Sequence, residues 1–154
     1  MIFNNSISDL LRQNLIKPCN VDFKTIKEFI NRAKKDLETS ERNLKIDNDC
    51  TYTYAYNAML HSGIALMNSQ GYRPEVKNKH LTVIRFTSVI FNENQNNLLK
   101  MYNNMRKKRH LFIYEPFTPC SEKEAKDALK SARTFVEEIV NLIQEKNPEL
   151  DINR

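Results

Sequence analysis

Glycine is nearly missing from this chain: Gly63 and Gly71 are the two among 154 residues. A phosphate-binding loop and a dinucleotide fingerprint each need several glycines close together, so neither can be written here. Two glycines and five prolines also supply too few tight-turn residues for a β-sandwich or barrel. Cysteine is sparse as well. Cys19, Cys50 and Cys120 lie far apart, form no CxxC pair and leave one thiol over in any pairing scheme. They read as buried or idle thiols of a reducing compartment rather than a disulfide framework or a zinc site. Nowhere do eighteen apolar residues come together, so no membrane span is expected. The segment Met1–Leu10 (MIFNNSISDL) lacks the basic region and apolar run of a signal peptide, which makes a cytoplasmic location the expectation.

What remains is helix-forming. The length suits one domain, residues 1–154, large enough to bury about 68–70% of its unfolded surface. Apolar residues make up 40% and charged residues 28%, a globular balance, and the net charge of +5 suits a polyanionic partner without identifying one. A short helix is predicted near Ser8–Asn14, stopping before Pro18. Phe23, Ile26, Ile30, Ala33, Leu37, Ser40 and Leu44 then recur at three- and four-residue steps along one face of a long helix that Asp22 caps. A third helix is expected over about 51–70, with Gly71 as its left-handed cap and Tyr72-Arg73-Pro74 as a turn. A fourth follows over about 79–91 and a fifth over about 96–113, ended by Pro116 and Pro119. Ser121 and Glu124 write a capping box for the last, which runs to about Lys146. The pattern predicts an all-α, up-and-down bundle of five to six helices with its core over about 23–146.

The chemistry-bearing stretch is Met101–Pro116, MYNNMRKKRHLFIYEP. Wound at about 100° per residue from Met105, the residues Leu98, Met101, Tyr102 and Phe112 fall within about 60° of it. Arg109 falls at about 40°, inside this apolar stripe, and Arg106, His110 and Tyr114 continue around its flank. A guanidinium aimed at an apolar face needs an acidic partner or a bound anion, because an unpaired buried charge is costly. The run Arg106-Lys107-Lys108-Arg109 also reads as a solvated basic face. His80, near Lys77 and Lys79, could extend a basic rim, and Asn57 could face the same cleft. Tyr52 and Tyr56 read as core or interface. His61 reads as a helix-face histidine. His61, His80 and His110 show no metal-ligand spacing, and neither a metal nor a cofactor is expected.

Arg109-His110-Leu111-Phe112-Ile113-Tyr114 resembles the signature of HEPN domains, small helical bundles that carry an Arg, often followed by Asn, then four to six residues and a His. Tyr54-Ala55-Tyr56-Asn57-Ala58-Met59, followed by Gly71-Tyr72-Arg73-Pro74, is similar to the family's helix ending in a Gly-x-x-Pro turn. The resemblance spans roughly 23–143. It implies a homodimer with two Arg motifs facing one cleft. Many such proteins are metal-independent ribonucleases of toxin–antitoxin or defence systems; others bind nucleotides or RNA without cutting, or pair with a nucleotidyltransferase.

By this resemblance Arg109 would grip the scissile phosphate of an RNA and stabilise its developing charge. Arg106, Lys107, Lys108, Asn57 and His80 would contact the strand. His110 stands where the family often has Asn, and Tyr114 stands at the His position. A phenol with a pKa near 10 is a poor base at neutral pH. Either His110 has taken over proton transfer beside Arg109 and Tyr114, or the domain binds without cleaving. An antitoxin or nucleotidyltransferase is a further expected protein partner, and in the second case the partner would be of the nucleotidyltransferase kind, with Tyr114 a candidate modification acceptor.

Overall fold

Local signals at helix ends decide where each element begins. The structure, a computed structural model, describes residue 3 and residues 6–115 and 119–152. Among them are six α-helices and two short strands: α1 (Ile7–Arg12), β1 (Ile16–Pro18), α2 (Phe23–Arg42), α3 (Asn48–Ser69), β2 (Tyr72–Pro74), α4 (Lys79–Ile90), α5 (Asn96–Tyr114) and α6 (Glu122–Lys146). Ser6 and Asp9 form a reciprocal capping box that starts α1 before Ser8. Asp22 caps α2 as expected, and Asp47 caps α3, which starts at Asn48, three residues ahead of Thr51. The Asn-rich segment before α5 is a 3₁₀ turn, Glu93–Gln95, capped by Asn92. Ser121 and Glu124 make their capping box at α6. Pro116, expected to end α5, lies outside the described residues.

α3 is the axis of the bundle. Its buried residues, from Thr51 and Tyr52 through Met59 and Gly63 to Met67, lie on every side of it, as a helix enclosed by others requires. It packs against α2, α4, α5 and α6. Ile26 and Ile30 of α2, Tyr56 and Met59 of α3, Tyr102 and Met105 of α5 and Phe135 and Ile139 of α6 meet in the main core. Ser40, which the helical pattern places on the apolar stripe of α2, is wholly buried there. Its hydroxyl donates to the Thr51 carbonyl at 2.6 Å, and the Thr51 hydroxyl donates to the Ser40 carbonyl at 2.9 Å. These two bonds satisfy the buried hydroxyls and staple α2 to the first turn of α3.

The expected turn at Tyr72-Arg73-Pro74 is instead a strand. Gly71 makes the reversal, at φ +85°, a left-handed conformation open to glycine. The chain then runs extended, as a residue before proline prefers, and pairs antiparallel with β1 in the register Ile16 to Pro74 and Pro18 to Tyr72. This two-stranded ribbon joins α1 to a second small core in which Leu10, Leu15 and Ile16 cover Leu60, Ile64, Val83 and Phe86. No helix is long and apolar enough among the described residues to cross a membrane.

A candidate anion cleft at the end of α5

On α5 the most deeply buried side chains are Leu99, Tyr102 and Met105. Relative to the stripe drawn from sequence, the buried face is rotated toward Leu99, by about 60° at 100° per residue. That rotation keeps Arg109 on the core side and brings Arg106 to its edge. The Arg109 guanidinium carbon lies 5.4 Å from the centroid of the Tyr56 ring, a cation–π arrangement. Tyr56 itself is fully buried. The Arg109 Nε is buried and has no hydrogen-bond partner. Among the described residues no carboxylate pairs with this guanidinium.

Beside Arg109 opens a cavity of about 470 Å³ lined by His80, Arg106, Lys107, Arg109 and His110. Every lining side chain is a cation or can become one. Arg106 is braced by its own helix, its Nε and terminal nitrogen donating to Asn103 Oδ1 at 3.3 and 3.2 Å. His80 enters from the first turn of α4. That helix starts after Asn78, itself in a left-handed conformation, and no side chain caps its first amides. An uncapped helix start adds partial positive charge to the same wall.

His80 is the best-anchored of the lining groups. Its Nδ1 is 2.6 Å from the Tyr56 hydroxyl, and the two rings lie within 7° of parallel, their centroids 5.6 Å apart. Burial, followed by the charges of Arg109, Lys79, Arg106 and His61, holds the His80 imidazole below its ordinary value. Burial pushes the Tyr56 phenol well up against the pull of Arg109 and Arg106, so its hydroxyl stays protonated. Tyr56 therefore carries both flanks of the cavity, Arg109 on its face and His80 at its edge.

The other residues singled out from sequence are placed differently. Lys107 lines the cavity, whereas Lys108 faces α6 and pairs with Glu124. Asn57 is partly buried on α3 and is not in the cavity wall. His110 is exposed at the lip, its ring 4.5 Å from that of Tyr114, which is 69% exposed and outside the wall. His61 is more than a helix-face histidine: its Nδ1 lies 2.6 Å from Oδ2 of Asp36, which is nearly fully buried on α2, and Arg32 approaches the other oxygen at 3.5 Å. Cys120 is buried, its thiol pushed up to about 11 by burial and by Asp49, which suits an idle thiol. One contact escapes a reading of the sequence. Tyr56 and His80 are 24 residues apart, and no local pattern announces their bond. The one available signal was a tyrosine at helical spacing from Tyr52 opposite a stripe containing an arginine.

Fold and cavity together define an all-α bundle that concentrates cations at the C-terminal end of one helix, against the central one. The HEPN domain family model matches residues 26–144, and the chain belongs to that family. The match begins inside α2 and ends near the end of α6, leaving α1 and β1 outside it. Neither the curated proteins nor the solved structures yielded a match to the chain.

Proposed function

We propose that this HEPN protein is RNA-directed, that Arg109 holds a backbone phosphate, and that the domain acts as a metal-independent endoribonuclease of a toxin–antitoxin or defence system. One observation carries the reading. Arg109 sits against the core with a buried, unpartnered Nε and, among the described residues, no acid to neutralise it, at the mouth of a cavity lined by cations. A guanidinium held against the core with no acid beside it is costly unless an anion in the cavity offsets its charge. A phosphate oxygen does so and also suits Arg106, Lys107 and the uncapped start of α4. In the reaction proposed, the ribose 2′-hydroxyl attacks the adjacent phosphorus while Arg109 stabilises the charge gathering on the phosphate oxygens.

The active form proposed is a homodimer in which two such cavities share a groove. Leu111, 39% exposed, and Tyr114 leave an apolar and aromatic surface next to the lip, which supports a second copy seating there. The test is binding of a fluorescent single-stranded RNA at several salt concentrations, with cleavage followed on a gel. Affinity should fall as salt rises, and Arg109→Ala should lose most binding and all cleavage. Arg109→Ala cutting RNA at the parental rate would remove the reading.

The exposure of Tyr114 favours one alternative. A phenol on the surface at a helix end is open to a transferase, so the domain could instead be a non-catalytic module modified by a nucleotidyltransferase partner. The intact mass after co-expression with the neighbouring genes separates the two: a nucleotidyl increment lost in Tyr114→Phe supports the alternative, and an unchanged mass counts against it.

A further inference from the structure

The Arg109 cleft needs a group to take the proton of the attacking hydroxyl, and the residues of the α5 motif are poorly built for it. Tyr114 is outside the cavity wall. His110 is exposed, and its described neighbour is the ring of Tyr114 rather than a group that would fix its tautomer. His80 has what both lack. It stands in the wall with Arg109, and its Nδ1 is held at 2.6 Å by a phenol that is itself wholly buried. With Nδ1 engaged, Nε2 is the nitrogen left to meet a ligand.

Resting on the ribonuclease reading above, we infer that His80 is the general base of the Arg109 cleft and that Tyr56 is its positioning residue. In the tautomer this requires, Nδ1–H donates to the Tyr56 oxygen and the Nε2 lone pair faces the cavity. The 2′-hydroxyl proton passes to Nε2 as O2′ bonds to phosphorus. The bond from phosphorus to O5′ breaks, O5′ takes a proton from solvent water, and His80 returns its proton to solvent. The products are a 2′,3′-cyclic phosphate and a 5′-hydroxyl. Nothing is oxidised or reduced.

The surroundings favour this role. The groups that bear on His80 are Tyr56 and His61 from α3, Lys79 from its own helix, and Arg106 and Arg109 from α5, with Lys107 and His110 in the same cavity wall. The charged members are all cationic, so the resting imidazole is neutral near pH 7 and able to accept a proton. When a phosphate enters, its negative charge offsets theirs and the imidazolium becomes easier to form. The base is thus free until substrate is present and favoured once it is.

The test compares full-length wild type, His80→Asn, His80→Gln and Tyr56→Phe on a mixed-sequence single-stranded RNA oligonucleotide and its deoxy counterpart, after circular dichroism has shown each variant folded. His80→Asn and His80→Gln should cleave RNA at least about a hundredfold more slowly than wild type, a loss well beyond any weakening of RNA binding. Tyr56→Phe keeps the ring under Arg109, so it should bind normally, cleave more slowly and move the acidic limb of the pH–rate profile to lower pH. A merely structural role for the hydroxyl would leave that limb in place. Cleavage by both His80 variants at the parental rate overturns the inference alone, as does loss of cleavage on His110→Asn while the His80 variants stay active. A wild type that binds RNA but never cuts it overturns the inference and leaves RNA binding standing; one that neither binds nor cuts takes both down.

Discussion

Replacing Arg109 by Met separates a ligand-holding arginine from a structural one by the sign of the stability change. A structural arginine destabilises the fold when removed. One held ready for an anion does the reverse. Met preserves the unbranched stem and its apolar contacts while deleting the guanidinium. A buried, unsatisfied donor costs about 1–3 kcal/mol, and Arg109 Nε is one. Against its removal stands the lost contact with the Tyr56 ring, worth about 0.5–1 kcal/mol at a partly exposed site. The net expectation is a variant more stable by about 1 kcal/mol, a rise in Tm of about 2–4 °C for a chain of this length. Urea unfolding at pH 7.5 in a buffer free of phosphate measures it. The same experiment with RNA present should reverse the order, because a ligand that binds only the folded wild type raises its stability by mass action. A loss of more than about 1 kcal/mol in Arg109→Met without ligand would refute the reasoning and make this arginine a structural element of the core.

Gly63→Ala should destabilise despite the better helix propensity of alanine: the new Cβ would overlap Val83 Cγ1, a buried branched methyl, so overpacking of about 1–3 kcal/mol outweighs a gain of about 1. Val83→Ala in the same chain should restore part of the loss by thermal melting. Thr51→Val should cost about 1 kcal/mol and Ser40→Ala a similar amount, and a double-mutant cycle in urea should show coupling, since each hydroxyl bonds the other residue's carbonyl. The imidazole of His80 lies below its ordinary 6.5 in the folded state, so the unfolded chain binds more protons between those values and stability rises with pH there. In unfolding measured without anions, stability should therefore fall as pH drops below about 6.5, and His80→Gln should flatten that fall; an unaltered slope would count against the perturbed imidazole.

The helices were legible because their signals are local. Asp22 before an apolar three–four repeat, the Ser121–Glu124 capping box, and the Asn-Pro after Lys146 each act within a few residues of where they stand. Even Arg109 could be placed, since its angle on α5 depends only on helical winding. The ribbon of β1 and β2 could not be read. Three-residue strands carry too little alternation to register, and Ile16 pairs with Pro74 through a reversal at Gly71, 55 residues after Ile16. The cleft was half legible for the same reason. Arg106, Lys107, Arg109 and His110 share one helix, but Lys108, in the same run, is claimed by Glu124 on α6. That choice depends on where another helix starts, which no spacing on α5 reveals.

The central helix ties stability to the proposed chemistry. Arg109 belongs to α5, His80 to α4, and each takes its position from Tyr56 on α3. Two turns further along, Gly63 lets α4 approach closely enough for Val83 to fill the space a side chain would occupy, with Thr87 and the Tyr102 hydroxyl also near that point. The separation of α3 from α4 at Gly63 therefore sets the height at which His80 meets Tyr56. A substitution at Gly63 that forces those helices apart by a few tenths of an ångström lengthens a 2.6 Å bond from which it is remote. On this reasoning a folded Gly63→Ala protein should keep its affinity for RNA, which depends on Arg109 and its neighbouring cations, and lose rate, which depends on the alignment of His80. Parallel loss of both would mean that the opening reaches α5 as well. An unaltered rate in a folded but less stable variant would show that the His80–Tyr56 geometry is set independently of how α3 and α4 pack.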